Sequence, residues 1–122
     1  MSWQFDSERP IYTQLVEELV LRMVTGCYGP GSRLPSVREL AGEARVNPNT
    51  MQRAMAELEG RGLLRTERTS GRFVTDDLEL LENEKQRLAR AHVENFLSRM
   101  AELGYSAAEA LALASRKGDD KA

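Results

Sequence analysis

Two helix-start signals separated by a short turn constrain the fold of this chain more than any other feature. Both lie within residues 35–61. Ser36 and Glu39 form a capping box, in which the serine hydroxyl accepts a hydrogen bond from a helix amide and the glutamate side chain accepts one from the Ser36 amide. Asn47 precedes Pro48, the order expected when asparagine caps a helix and proline fills its first position, where no N–H is needed. The stretch therefore predicts two helices joined by a tight turn.

Apolar spacing ahead of these signals predicts an extended arm and a first helix. Trp3 and Phe5 stand on alternate positions, and we expect the arm to pack these aromatic side chains on the body of the protein. A helix of about 16 residues should begin at Pro10 and end at Gly26. Residues 28–34 should then form a tight connection and, over Ser32 to Leu34, one short strand.

The second and third helices are both predicted to be amphipathic. Helix two should run from Val37 to about residue 43, and helix three from residue 48 to residue 60. Its inward positions follow the i, i+3, i+4, i+7 rule and are Met51, Ala54, Met55 and Leu58. Its outward positions are Asn49, Gln52, Arg53 and Glu57. Asparagine and glutamine can pair with adenine edges and arginine with guanine, and Thr50 can reach a phosphate or a thymine methyl group, so this face suits nucleic acid.

Beyond Gly62 the pattern changes to the period of two that is typical of β-strands. Leu64 and Thr66 alternate with charged residues, and a second alternating run follows residues 68–71. Gly71 supplies the positive φ of a short loop, and Arg68 and Arg72 flank it, where they could touch a sugar–phosphate backbone or enter a minor groove. The order of helix, short strand, helix, turn, helix and hairpin predicts a mainly α fold with a small β-hairpin, a winged helix-turn-helix.

Charge is unevenly distributed along the chain. The net charge is -2, so affinity for nucleic acid must come from local arrangement and not from bulk attraction. Residues 33–74 contain eight arginines and five glutamates, whereas residues 76–122 contain seven basic and ten acidic residues. The sequence therefore predicts a mildly basic segment over residues 33–74 and an acidic segment over residues 76–122.

Catalytic and metal chemistry are disfavoured by what the sequence lacks. There is no Ser/His or Cys/His constellation, no phosphate loop and no metal-ligand spacing, so we expect no enzyme, no cofactor and no metal site. The single Cys27 is interpreted as a packed or incidental thiol rather than a redox sensor, and the single His92 as structural or exposed. With neither a signal peptide nor a membrane-spanning apolar run, the chain is expected to be cytoplasmic and away from the membrane.

Several uncommon strings give the chain a specific resemblance to the GntR family of bacterial transcription factors, over residues 10–75. They are Pro10-Ile11-Tyr12 with Gln14-Leu15, Gly29-Pro30-Gly31, Leu34-Pro35-Ser36-Val37-Arg38-Glu39-Leu40-Ala41, Val46-Asn47-Pro48-Asn49-Thr50 and Glu57-Leu58-Glu59-Gly60-Arg61-Gly62-Leu63. The resemblance implies binding of a double-stranded DNA operator as a dimer.

The resemblance also implies which residues touch DNA: Arg38 of the Pro-Ser-Val-Arg string, the start of the recognition helix, and a wing glycine, here Gly71. One departure matters, because many members of the family have Arg where this chain has Pro48, and Arg45, Gln52 or Arg53 would take over that contact. The full predicted DNA-binding set is Ser36, Arg38, Arg45, Asn47, Asn49, Thr50, Gln52, Arg53, Arg68, Ser70, Gly71 and Arg72.

Residues 76–122 are predicted to form a helical dimerisation tail behind a DNA-binding domain of residues 1–75. A helix of about 26 residues carries a broad apolar stripe and should end at Gly104; Ser106 and Glu109 form a second capping box that opens a shorter helix, and residues 117–122 should be disordered. Paired with a second chain, the two helices would bury the stripe in a bundle. This tail resembles that of the YtrA subfamily, whose tails dimerise. The predicted dimerisation residues are Leu81, Leu88, Val93, Phe96, Leu97, Met100 and Leu103.

The sequence thus predicts a homodimeric, sequence-specific transcriptional regulator, a repressor that binds an inverted-repeat operator. Two alternatives remain open at this point. One is a protein-interaction module that uses the same winged helix, and the other is a regulator gated by a small-molecule effector bound at the tail.

Overall fold

Residues 2–120, the part of the chain described by the computed structural model, form five helices and one two-stranded antiparallel hairpin. The elements are α1 (Ile11–Val24), α2 (Val37–Ala44), α3 (Pro48–Gly60), β1 (Leu64–Glu67), β2 (Gly71–Val74), α4 (Leu78–Glu102) and α5 (Ala107–Asp120). The predicted winged helix-turn-helix with C-terminal helices is confirmed. The chain divides into two compact units, residues 1–85 and residues 86–122, and the boundary falls within α4.

Both predicted helix starts are confirmed by their hydrogen bonds. The Glu39 amide donates to the Ser36 hydroxyl oxygen at 3.1 Å, and the Ser36 amide donates to Glu39 Oε1 at 3.2 Å. These bonds from the Ser36 backbone and hydroxyl hold the pKa of Glu39 below its usual value. At α3 the Asn49 amide donates to Asn47 Oδ1 at 2.7 Å, and Pro48 occupies the first helical position.

The core of residues 1–85 lies where α1, α2, α3 and the hairpin meet. The predicted inward face of α3 is confirmed, since Met51, Ala54, Met55 and Leu58 have no exposed surface. The largest completely buried side chains are Leu15, Leu19, Leu40, Met51, Met55, Leu58, Leu63 and Val74. Burial of each such side chain stabilises the fold by about 1.5 to 3 kcal/mol, and together they fix α3 against the other two helices.

The strand expected over residues 32–34 is present only as an isolated bridge between Arg33 and Phe73. The Leu34 amide donates to the Arg72 carbonyl and the Val74 amide to the Ser32 carbonyl, both at 2.9 Å. Proline has no amide to continue such a ladder, and Pro35 follows at once. The segment therefore lies against β2 without forming a strand of its own.

The hairpin is attached to α3 by a half-buried ion pair. Its register places Thr66 opposite Arg72 and Leu64 opposite Val74, so these four side chains share one face of the hairpin, on which Leu64 and Val74 are buried. Arg72 Nε donates to Glu59 Oε1 at 2.6 Å. Although partial burial raises the pKa of Glu59, hydrogen bonds from Arg72 and Thr66 outweigh it, and the pKa lies below its usual value.

The N-terminal arm is tied to the body through Gln14 and Trp3. The Gln14 side chain accepts from the Asp6 amide at 2.9 Å and donates to the carbonyls of Asp6 and Arg9 at 2.9 and 2.8 Å. The guanidinium of the buried Arg22 lies 3.9 Å from the centroid of the Trp3 ring, and the Trp3 indole donates to Glu43 at 3.4 Å. The predicted packing of the arm on the body is confirmed for Trp3, and the Phe5 ring lies with its centroid 6.3 Å from that of Trp3.

Residues 86–122 form a helical unit of their own. Gly104 adopts φ +95° between the two helices, and the Glu109 amide and Ser106 amide make the reciprocal bonds of the second predicted capping box at 3.1 and 2.8 Å. Ala110 is completely buried. Because α5 extends to Asp120, the disorder expected from residue 117 is not observed as far as residue 120. For residues 121 and 122 that expectation lies outside the described residues.

Replacing Gln14 by Leu should release the arm. Leucine cannot pair with the three backbone groups that Gln14 satisfies, so the free energy of unfolding should fall by about 1 to 3 kcal/mol. Trp3 is the only tryptophan in the sequence, so its emission should shift to the red in the folded variant. Chemical denaturation followed by fluorescence measures both, with Thr13→Ala, an exposed change on the same helix, as control. Wild-type emission and stability in Gln14→Leu would contradict this account of the arm.

Replacing Glu59 by Gln should cost stability in a pH-dependent way. Because the pKa of Glu59 is lowered in the fold, its stabilising effect is present above the unfolded pKa of about 4.3 and disappears as the pH falls through the lower folded value. The melting temperatures of wild type and Glu59→Gln should therefore differ most near pH 7 and converge below about pH 4. In an Arg72→Gln background the same substitution should show a much weaker pH dependence. A difference that stays constant from pH 7 to pH 3 would exclude the ion pair as its cause.

Candidate nucleic-acid interface

The turn between α2 and α3 sets the relation between the two helices. Arg45 follows α2 in the left-handed conformation, with φ 57° and ψ 48°, and its amide donates to the Ala41 carbonyl. The Val46 amide donates to the same carbonyl at 3.0 Å. Asn47 then caps α3, so the whole turn is fixed by local hydrogen bonds. The Arg45 side chain is exposed at this turn.

The first turns of α3 present polar side chains in one exposed row. Asn49, Gln52 and Arg53 follow the i, i+3, i+4 spacing that places them on one face, and all three are exposed, whereas Thr50 is half-buried. The outward face predicted from the sequence is therefore present. Its donors and acceptors are of the kinds that pair with base edges.

Asn47 is placed differently from the rest of the predicted set. Its Oδ1 is already the acceptor of the helix cap, at 2.7 Å from the Asn49 amide nitrogen. An amide oxygen has a second lone pair, and the side-chain NH₂ group is a further donor, so the cap does not exclude a base contact. In the structure the Asn47 side chain holds the start of the recognition helix, and its contact with a base stays a prediction.

Arg53 is stacked on an aromatic ring from α1. Its Cζ lies 4.5 Å from the centroid of the Tyr12 ring, and the Tyr12 hydroxyl donates to Glu57 Oε1 at 3.4 Å. A guanidinium stacked in this way keeps its edge N–H groups available for bidentate hydrogen bonds. Tyr12 therefore fixes the orientation in which Arg53 is presented.

Ser36 and Arg38, at the start of α2, are both exposed. The Ser36 hydroxyl oxygen accepts a hydrogen bond from the Glu39 amide, but the hydroxyl also has a hydrogen that it can donate to another group. Arg38 makes no salt bridge with the described residues. Its charge is therefore available to an anion from outside the chain.

The tip of the hairpin carries Arg68 and Ser70, both exposed, and Gly71 at φ +107°, a conformation that L side chains rarely adopt. Arg72 is not part of this tip, contrary to the prediction. Its side chain is only 20% exposed and bonds to Glu59, because the two-residue period of β2 turns it toward α3. Arg72 therefore holds the wing in place.

Sequence reasoning missed Arg33 as a residue of this region. Its guanidinium lies across Gly71, with Nε 3.0 Å from the position that a Cβ of residue 71 would occupy. The sequence shows Arg33 between Ser32 and Leu34, far from the wing in chain order. Only the bridge to Phe73 brings it to the hairpin, so no local pattern could have found it.

The predicted dimerisation residues divide into two groups. Leu81 is corrected, because it is only 6% exposed and lies within the unit of residues 1–85, where it belongs to the core. The other six lie in the second unit and are half-buried or exposed: Leu88, Val93, Phe96, Leu97, Met100 and Leu103. Additional exposed apolar side chains in that unit are Tyr105, Leu111 and Leu113. The helical unit thus has a large apolar surface that the chain itself leaves uncovered.

The side chains that the structure describes include no group of three or more His, Cys, Asp or Glu that could hold a metal ion. None of the described helices is both long enough and apolar enough to cross a bilayer.

Comparison with known proteins agrees with the geometry. The sequence profile of the bacterial regulatory proteins of the gntR family matches residues 11–74. YhcF of Bacillus subtilis, an uncharacterized HTH-type transcriptional regulator, is 40% identical over 111 residues, which cover 91% of this chain and 92% of YhcF. The transcriptional repressor YtrA of the same organism is 39% identical over 71 residues, 58% of this chain and 55% of YtrA.

Solved structures give the same result. A GntR family transcriptional regulator from Listeria monocytogenes superposes with a TM-score of 0.83 at 40% identity, covering 92% of this chain and 98% of that chain. The DNA-binding domain of AraR in complex with operator ORX1 superposes with a TM-score of 0.55 at 27% identity, covering 59% of this chain and 93% of that chain. The resemblance to the GntR family and its YtrA-like members is confirmed. The two Bacillus relatives and the Listeria protein named above are all transcriptional regulators or repressors by name. The chain belongs to the GntR family of bacterial regulatory proteins and is a transcriptional regulator whose winged helix-turn-helix is a DNA-binding domain.

Proposed function

We propose that this protein is a repressor that binds an inverted-repeat operator as a homodimer. The observation that carries the proposal is the exposed polar row at the start of α3, which stands with an exposed Arg38 at the start of α2 and an exposed Arg68 at the tip of the wing. Recognition in the family fold places such a helix in the major groove. Repression is the activity named for the relative YtrA, and a dimer seated on an operator would exclude other proteins from it.

Within this proposal the residues divide into those that read bases and those that bind the backbone. Asn49, Gln52 and Arg53 present paired donors and acceptors to base edges, and Thr50 lies beside them. The backbone set consists of Ser36, Arg38, Arg45, Arg68 and Ser70, with Gly71 allowing close approach of the wing. Backbone contacts fix the register in which the α3 row meets the bases.

The apolar surface of residues 86–122 supports the homodimer. Leu103 is 73% exposed, and Val93 and Phe96 also lie open to solvent. A helical surface of this kind is stabilised when a second copy presents the same surface across a two-fold axis. Two DNA-binding units related by such an axis match an inverted repeat, because operator symmetry mirrors protein symmetry. Since Leu81 and Glu84 are buried in the first unit, the dimerising segment begins after Lys85.

Replacing Arg38 by Ala should weaken binding to operator DNA by about 1 to 3 kcal/mol, the loss expected for a well-placed arginine contact. The probe is a duplex enriched from random sequences by the wild-type protein, with affinity measured by fluorescence anisotropy. Arg65→Ala is the matched control, because Arg65 is exposed on the hairpin but its guanidinium is already engaged by Glu67 and Asp76. Equal affinities of Arg38→Ala and wild type would remove Arg38 from the interface.

Replacing Phe96 by Asp should convert the dimer to a monomer. A charge in the centre of the apolar surface should raise the dimer dissociation constant about thirtyfold or more, as for a central interface residue. Light scattering over a concentration series measures the mass. Ser98→Asp is the control, since Ser98 lies on the opposite side of α4 and is exposed. A Phe96→Asp protein that keeps twice the chain mass at every concentration would contradict the assignment of this surface.

A further inference from the structure

Arg33 occupies an unusual position on the wing. Its Nε and Nη2 lie 3.0 and 3.4 Å from where a Cβ of Gly71 would stand, so the guanidinium rests on bare backbone at the glycine of the wing. Residue 71 lacks a side chain on the side where the guanidinium lies, and a Cβ there would crowd the guanidinium, which would have to move by a few tenths of an ångström. The glycine therefore has a second role beside its positive φ, which is to leave room for Arg33.

Backbone pairing holds Arg33 in this place. Leu34 and Ser32, on either side of it, are bonded to the backbone of β2 at 2.9 Å, and Leu34 is buried. Because side chains alternate along an extended segment, Arg33 must project to the face opposite Leu34. That is the face of Phe73 and Gly71, away from α3.

The charge of Arg33 is left available by its surroundings. On the neighbouring strands, Arg65 is bonded to Glu67 and Asp76, and Arg72 to Glu59. Arg33 is exposed and makes no salt bridge with any described residue. Its charge contributes to lowering the pKa of Glu39, so it lies near the start of α2 as well as on the wing.

The geometry points to Arg33 as a DNA-binding residue that contacts a backbone phosphate beside the wing. This inference rests on the proposed operator binding. It adds a residue that lies near both the start of α2 and the wing. A planar guanidinium fits a phosphate with two parallel N–H bonds, and a cation fixed on backbone loses little freedom when it binds. A phosphate contact carries no base information, so Arg33 sets affinity and register and does not select sequence.

The experiment compares Arg33→Gln, Arg33→Lys and the control Arg65→Gln with wild type. Each full-length protein is titrated, at several salt concentrations, against the duplex enriched by wild type and against an unrelated duplex. Loss of one phosphate contact should make the slope of log K against log salt concentration shallower by about 0.9. The loss of affinity relative to wild type should then be about eightfold larger at 0.1 M salt than at 1 M salt. Thermal melts of the free proteins check that the substitutions leave the fold intact.

Arg33→Gln should lose affinity for both duplexes by the same factor and show the shallower slope, while Arg33→Lys should keep the wild-type slope and Arg65→Gln should bind as wild type. A wild-type slope for Arg33→Gln would overturn the inference, and so would a loss confined to the enriched duplex or an equal loss in Arg33→Lys. Failure of wild type itself to prefer any duplex is a different result, because it would refute the proposed operator binding rather than the role of Arg33.

Discussion

The interface depends first on the capped turn between α2 and α3. Its hydrogen bonds are local: Arg45 and Val46 both donate to the Ala41 carbonyl, and Asn47 accepts from the Asn49 amide. The left-handed conformation of Arg45 costs about 1 to 2 kcal/mol for a residue with a side chain. The buried side chains of both helices hold it in place, since Leu40 and Met51 have no exposed surface. The angle between the helices is thereby set before any DNA arrives, and the exposed row of α3 is presented on a rigid support.

Ion pairs then determine which arginines are available to DNA. Arg22, Arg61, Arg65 and Arg72 are bonded to carboxylates of the chain. Among the side chains that the structure describes, Arg33, Arg38, Arg45 and Arg68 make no salt bridge, and they lie at the turn, near the start of α2 and on the wing. A chain with a net charge of -2 can thus present cations to a phosphate backbone, because its carboxylates neutralise arginines that serve the fold. The pair between Arg72 and Glu59 is the clearest case, since it attaches the wing to the recognition helix.

Much of this could be predicted from the sequence, because the signals were local. Capping residues act within three positions, so both capping boxes and the Asn47-Pro48 start appear in the structure as the sequence indicates. The inward face of α3 followed in the same way from its spacing. The failures concern contacts between residues distant in the chain. Arg72 looked like a tip residue until the register turned it toward Glu59, Leu81 looked like part of the tail stripe although it is buried in the first unit, and Arg33 reaches the wing only through pairing with β2.

The most direct test of the account is selection of duplexes from a random library by the full-length protein, followed by sequencing. We expect an enriched inverted repeat whose half-site centres lie about one helical turn, or a small multiple of it, apart. Two chains should bind each such duplex. Enrichment of a single unrepeated half-site, or of no sequence above the starting library, would contradict the central claim that two copies of this winged helix read one operator.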